Sequence, residues 1–154
     1  MIATDLDFPA DLPYPQRNGY GLKPVQTFKR TEMDSGRARQ RPGFVTVPTV
    51  ASVSWKFTTS EAQIFEAWFR DVISSGAAWF NCPLVTPMGD KPYVCRFVNM
   101  YDGPIQDGIC HWQYSANLEL WEIPRLAPGW GEFPDFIRYA DIIDLALNRE
   151  WPEA

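Results

Sequence analysis

Imidazole is nearly absent from this chain: of 154 residues, only His111 is a histidine. Catalysis that pairs a nucleophile with a histidine base, and zinc sites built on several histidines, have almost nothing to use. Cysteine is scarce too. Cys82, Cys95 and Cys110 stand 13 and 15 residues apart, which matches neither a zinc pattern nor a CxxC pair. Buried thiols in or near strands are the reading taken, with one disulfide and a spare thiol as the alternative. No apolar run reaches the length of a membrane helix. The opening "MIATDLDFPADLPYP" carries three Asp and neither Lys nor Arg. It lacks the charged start and apolar segment of a secretory signal, so use from the cytosol is expected. The P-loop, GxSxG, GxGxxG and HExxH motifs are all missing.

What is present is bulky and apolar. Apolar residues make up 45% of the chain and aromatics 15%, with seven Trp and ten Phe. That is too much to remain disordered. The length suits one domain with a real core. Fourteen prolines cut the chain into short elements.

Residues 1–19 are proline-rich, and "LPYPQRNGYG" predicts an extended arm with a turn at Asn18-Gly19. Leu12, Tyr14 and Tyr20 give the arm something to pack on, in its own domain or a neighbouring subunit. "PVQTFKRTEM" (24–33) predicts a strand and "DSG" (34–36) a turn. Val45, Val47, Val53, Trp55 and Phe57 fall at period two. They predict one long strand, or two collinear ones bent at Pro48. "TTSEAQIFEAWFRDVISSG" predicts a helix. Thr58 and Glu61 have capping-box spacing, and Gly76 stands where the helix should stop. Ile64, Phe65, Trp68, Phe69, Val72 and Ile73 form its apolar stripe, read as a core face.

"AAWFNCPLV" predicts a short buried strand, "TPMGDKP" a turn with Met88-Gly89-Asp90 at its tip, and "YVCRFVNMY" the next strand. "DGPIQDG" is read as a loop. In "HWQYSANLELWEI", Trp112, Tyr114, Ala116, Leu118 and Leu120 alternate with Gln113, Ser115, Asn117 and Glu119. This predicts an antiparallel strand with one wet face. After Pro124, "RLAPGWGEFP" reads as a linker. "PDFIRYADIIDLALNRE" predicts a second helix with Pro134 at its first turn. Its apolar residues, Ile142, Ile143 and Leu147 among them, must dock on its own sheet or on a partner.

Chemistry is hard to find. His111 opens a strand and is read as structural or exposed. Asp102 with Asp107, and Asp141 with Asp144, are read as a solvated loop and a solvated helix face. "DGPIQDG" lacks the ligand spacing of a calcium loop. No catalytic residue, metal site or cofactor is expected. The arginines are more informative. Residues 1–42 carry seven Lys or Arg against five acids, and residues 43–154 carry seven against fourteen. Arg30, Arg37, Arg39 and Arg41 crowd the stretch "RTEMDSGRARQR". In a strand, Arg37, Arg39 and Arg41 share one face. Three readings stay open: a subunit interface facing carboxylates, a solvated edge that blocks strand pairing, and a nucleic-acid footprint. The interface is preferred, with Arg30, Arg37, Arg39, Arg41, Tyr14, Ile142, Ile143 and Leu147 as its candidate residues.

The order of elements resembles a family. A strand, the "MDSGRARQR" turn, a strand ending "VSWKFT" and the helix "SEAQIFEAWFRDVISSG" come first. "AAWFNCPL", a glycine turn, "YVCRFV" and a strand ending "LELWEI" follow. This run, residues 20–123, resembles the small tail-tip proteins of long-tailed bacteriophages. It is similar to the minor tail protein M family of lambda-like phages and to the core of distal tail proteins. The resemblance implies a mainly β (α+β) fold: an antiparallel β-sandwich or split barrel with one packed α-helix. It implies a homo-oligomeric ring, a hexamer or a trimer, in the virion tail and assembled in the host cytoplasm. Its partners would be the tail tube protein and the hub or fibre proteins, with DNA only as passing cargo and no membrane insertion. It carries no catalytic residues. Residues 1–19 as an N-terminal arm and 124–154 as a linker with a C-terminal interaction helix fall outside the matched run. A head–tail connector or tail completion ring is the nearest alternative. A carbohydrate-binding module using Trp79, Trp112, Trp121 and Trp130 is the alternative of another class, and a small hydrolase lacks any motif.

Overall fold

The structure, a computed structural model, describes residues 4–34, 36–44 and 47–150, except the side chains of 147–150. It divides into two units, one ending at Pro124 and one beginning at Arg125. In chain order the first unit holds β1 (Gly21–Pro24), β2 (Phe28–Thr31), β3 (Arg39–Pro42), β4 (Thr49–Thr58) and helix α1 (Thr59–Asp71). It continues with β5 (Phe80–Thr86), β6 (Gly89–Phe97), β7 (Asp102–Asp107) and β8 (His111–Leu120). The fold is mainly antiparallel β with few helices, as expected, and no barrel closes among the described residues.

Alternation decides which side each strand buries. β4 and β8 pair over their full length, from Thr49↔Leu120 to Thr58↔His111. Ala51, Val53, Trp55 and Phe57 are buried on one side, beside Tyr114, Ala116, Leu118 and Leu120. The polar partners, such as Ser52 with Asn117, face the other side. With β4 along one edge of β8, the other edge is shared. Its C-terminal end takes β6, at Cys95↔Leu120 through Phe97↔Leu118. Its N-terminal end takes β7. The sheet order is β1-β4-β8-β6-β5.

Helix α1 covers the apolar side. Its capping box forms: the Thr58 hydroxyl accepts from the Glu61 N–H, and the Glu61 carboxylate accepts from the Thr58 N–H at 2.7 Å. Ala62, Phe65, Trp68 and Phe69 are buried, with Ile73 just beyond the helix. Ile64 and Val72 are exposed, so the stripe is narrower than its spacing predicts. Ile64 lies outside the edge set by Trp68, and Val72 is the C-cap, where the helical repeat ends. The chain turns at Ser74, Ser75 and Gly76, all with positive φ. A Cβ on Gly76 would lie 3.0 Å from the Phe69 ring, at a φ of +89°. Gly76→Ala should therefore cost about 1–3 kcal/mol, read as a lower urea midpoint with unchanged slope.

The two ends of the sheet approach each other. The Tyr20 hydroxyl, next to β1, donates to the Val85 carbonyl on β5 at 2.7 Å. The N-terminal arm fills the seam. The Phe8 N–H donates to the Asn81 carbonyl at 2.8 Å, and the Asn81 N–H to the Leu6 carbonyl at 2.7 Å. The Trp68 indole N–H donates to the Asp7 carbonyl at 3.0 Å. Further along, the Gln16 N–H donates to the Ser54 carbonyl on β4 at 2.7 Å. Phe8 and Leu12 enter the core, so the arm packs on its own domain. Phe8 stacks on Trp55 and meets Trp68 edge-on.

Other expectations are corrected. The strand over 24–33 is two elements, because β1 ends at Pro24 and β2 starts at Phe28. The strand through Val47 starts only at Thr49; Val47 is buried outside it, and Val45 lies outside the described residues. "DGPIQDG" forms β7, since β8 offers its N-terminal edge as a template. The turn after β5 has Pro87-Met88 at its tip, because Gly89 already pairs with Thr86.

The second unit contains a 3-10 turn at Trp130–Glu132, then α2 (Pro134–Arg138) and α3 (Ala140–Glu150). The single helix expected here is broken at Tyr139, whose φ and ψ are -105° and 15°. Pro134 starts α2, as expected. Every residue from Arg125 to Ala146 is exposed.

Candidate functional site

Among the described residues, no three His, Cys, Asp or Glu side chains gather to hold a metal. Cys82 and Cys95 are buried free thiols and Cys110 an exposed one. Burial, then the neighbouring Cys82, pushes the Cys95 thiol well up, the opposite of an activated nucleophile. Burial, then Glu66, raises the Tyr114 hydroxyl, which donates to the Glu66 carboxylate at 2.8 Å. Asp107 pairs with Lys56 at 2.8 Å, and that ammonium holds its carboxyl below the usual range. Asp102 opens the same strand β7. A polar groove of about 480 Å³ runs along the wet face of β4 and β8, lined by Ser52, Ser54, Gln113, Ser115 and Asn117 among others.

The arginine stretch forms a ribbon. β2 and β3 pair from Phe28↔Pro42 to Thr31↔Arg39, and all eight of their residues are exposed. Residues opposite each other share a face. Lys29, Thr31, Arg39 and Arg41 therefore stand on one face, and Phe28, Arg30, Gln40 and Pro42 on the other. Arg37 precedes β3 and lies in the turn segment. Only Arg39 and Arg41 of the expected three share a strand face, and Arg30 points the opposite way. The Gly43 and Phe44 N–H groups both donate to the Thr27 carbonyl, at 2.8 and 3.1 Å. This brings Phe44, 62% exposed, beside Lys29, whose ammonium lies 5.5 Å from the ring centre. Phe28, Gln40, Arg41, Pro42 and Phe44 line an open cleft of about 420 Å³. Sequence reading missed this cleft. Phe28 and Phe44 flanking a basic hairpin were its signal.

The other candidates lie elsewhere. Tyr14, 64% exposed, sits at a cleft of about 350 Å³ with Tyr20, Pro83, Val85 and Asp90. Burial, then Cys82 and Tyr93, raises the Tyr20 hydroxyl, the group that donates to the Val85 carbonyl. Ile142 and Ile143 are exposed on α3. The Leu147 side chain lies outside the described residues. Of the tryptophans proposed as sugar platforms, Trp112 is half-buried with its indole N–H 3.4 Å from the Thr59 hydroxyl. Trp79 carries the Arg96 guanidinium 4.6 Å over its ring and meets Trp121 edge-on. Arg96 in turn pairs with Glu119 at 2.7 Å. The guanidinium occupies one face of the Trp79 ring. Trp130 is exposed in the second unit.

No protein-family model matches this sequence, and no curated protein matches it significantly. Among solved structures, a chain from the virion of a native gene transfer agent particle is similar. The likeness has a TM-score of 0.52 at 11% identity and covers 79% of this chain and 99% of that one. The two chains share a fold.

Proposed function

We propose that this protein is a structural subunit of a phage-like virion, a ring at the tail tip that joins the tail tube to the hub and surrounds the DNA channel. One observation carries it. A β-domain with a filled core is accompanied by a basic ribbon and a helical unit, neither of which buries a described side chain. Elements of that kind are completed by neighbours in an assembly. The shared fold with a gene transfer agent virion chain supports the virion part. The element order across residues 20–123 supports the tail-tip part. The acidic balance after residue 43 suits the wall of a passage, since a basic wall would hold the phosphates of moving DNA. Residues 124–154 serve as linker and interaction helix. The tail tube and the hub or fibre proteins are the neighbours along the axis.

Light scattering across a range of concentrations tests this. The expected result is a closed species of six copies, or three, of the 17.7 kDa chain. A monomer at every concentration that binds oligosaccharide would overturn the ring in favour of a carbohydrate-binding module.

A further inference from the structure

The ribbon and the second unit complement each other in charge. Residues 28–42 carry five Lys or Arg against two acids. Residues 125–154 carry three against six. Among the described residues, the ion pairs within 4 Å are Lys56–Asp107, Arg70–Asp71 and Arg96–Glu119. None uses a ribbon cation or an acid of the second unit. Both elements also expose apolar groups. The ribbon has Phe28 and Phe44 at its cleft, and the second unit has Phe136, Ile137, Ile142, Ile143 and Leu145. An isolated two-stranded ribbon is marginal in water, and exposed apolar helices call for cover.

We propose that the α2–α3 helices of one copy dock on the β2–β3 ribbon of the next copy. Asp141 and Asp144 face Arg39 and Arg41, and apolar side chains of α2 and α3 pack on Phe44, which lies against Lys29 on that same face. This rests on the self-assembly part of the proposed function and names the two faces that meet. The contact is head-to-tail, because one surface binds a different surface of its neighbour. Repeated around an axis, such contacts close into a ring. The charges set register and the apolar contact at Phe44 supplies burial.

The test is a charge swap in two full-length variants. One carries Arg39→Glu and Arg41→Glu; the other carries Asp141→Lys and Asp144→Lys. All four positions are exposed, so circular dichroism should match the parent. Each variant alone now faces like charge with like charge. Each should dissociate at concentrations at least about tenfold higher than the parent. Mixed in equal amounts, they should recover assembly by alternating: at the parent's mass where the parent has six copies, and as a different, even-numbered species where it has three. A ribbon that holds the helices of its own chain would gain nothing from mixing. Two variants that each assemble like the parent overturn the docking but leave the ring standing on other faces. A mixture that fails to recover overturns the docking as well. A parent that stays monomeric removes both. Salt gives a second reading: assembly of the parent should weaken steadily from about 0.05 to 0.5 M salt, and insensitivity to salt counts against the charge pairing.

Discussion

Removing residues 1–13 abolishes the cooperative melt of the β-domain: this is the expected result, followed by tryptophan fluorescence or near-ultraviolet circular dichroism on heating. The arm supplies two core side chains, Phe8 and Leu12. Truncating a buried Phe to Ala costs about 3–5 kcal/mol and a buried Leu about 2–5 kcal/mol. A domain of this size holds only about 5–15 kcal/mol in all. Deletion also strips the Asp7 carbonyl from the Trp68 indole N–H. A buried donor left without its acceptor costs about 1–3 kcal/mol more. Phe8→Ala alone should lower the midpoint sharply. Tyr14→Ala, on the exposed part of the same arm, should stay within about 0.5 kcal/mol. A deletion protein that melts at the parent's temperature would show that the arm is an accessory.

Removing residues 125–154 should do the opposite. At a dilution where the parent is itself monomeric, the β-domain should melt at the parent's temperature, because every residue from Arg125 to Ala146 is exposed and little buried area is lost. Assembly should fall to the monomer at all attainable concentrations. The pair of measurements, a melting curve and a mass, separates an interface element from a core element. Loss of the cooperative melt in this truncation would place the helices in the core.

The two deletions also mark where the sequence was legible. Helix α1 announced itself through Thr58, Glu61 and an apolar repeat, because a capped amphipathic helix is written in neighbouring residues. β8 was equally plain, since strict alternation over Trp112–Leu120 has no helical reading. β7 was not, because "DGPIQDG" has no alternation of its own and takes its strand form from pairing with β8. The arm's role was hidden for a similar reason. Phe8 and Leu12 are spaced by prolines, and their partners Trp55, Trp68 and Asn81 are distant in the chain. In the candidate interface, the charge of the ribbon was visible but its geometry was not. Which face Arg30 takes depends on the register of β2 against β3, and that is fixed by a turn. The break at Tyr139 was masked because apolar residues run on through both helices.

The seam between the arm and β5 sets an order of events during synthesis. Residues 4–8 leave the ribosome well before Trp79 and Asn81, which they bond. At about 5–20 residues per second, the gap lasts roughly 4–15 s. Through that interval the Phe8 and Leu12 side chains lack a finished site, and the sheet lacks its β5 end. Closing so long a loop carries an entropic cost, so the arm locks only after β5 has found β6. Residues translated early are then among the last to be fixed, and a newborn chain carries an exposed apolar segment that chaperones can hold until its seat exists.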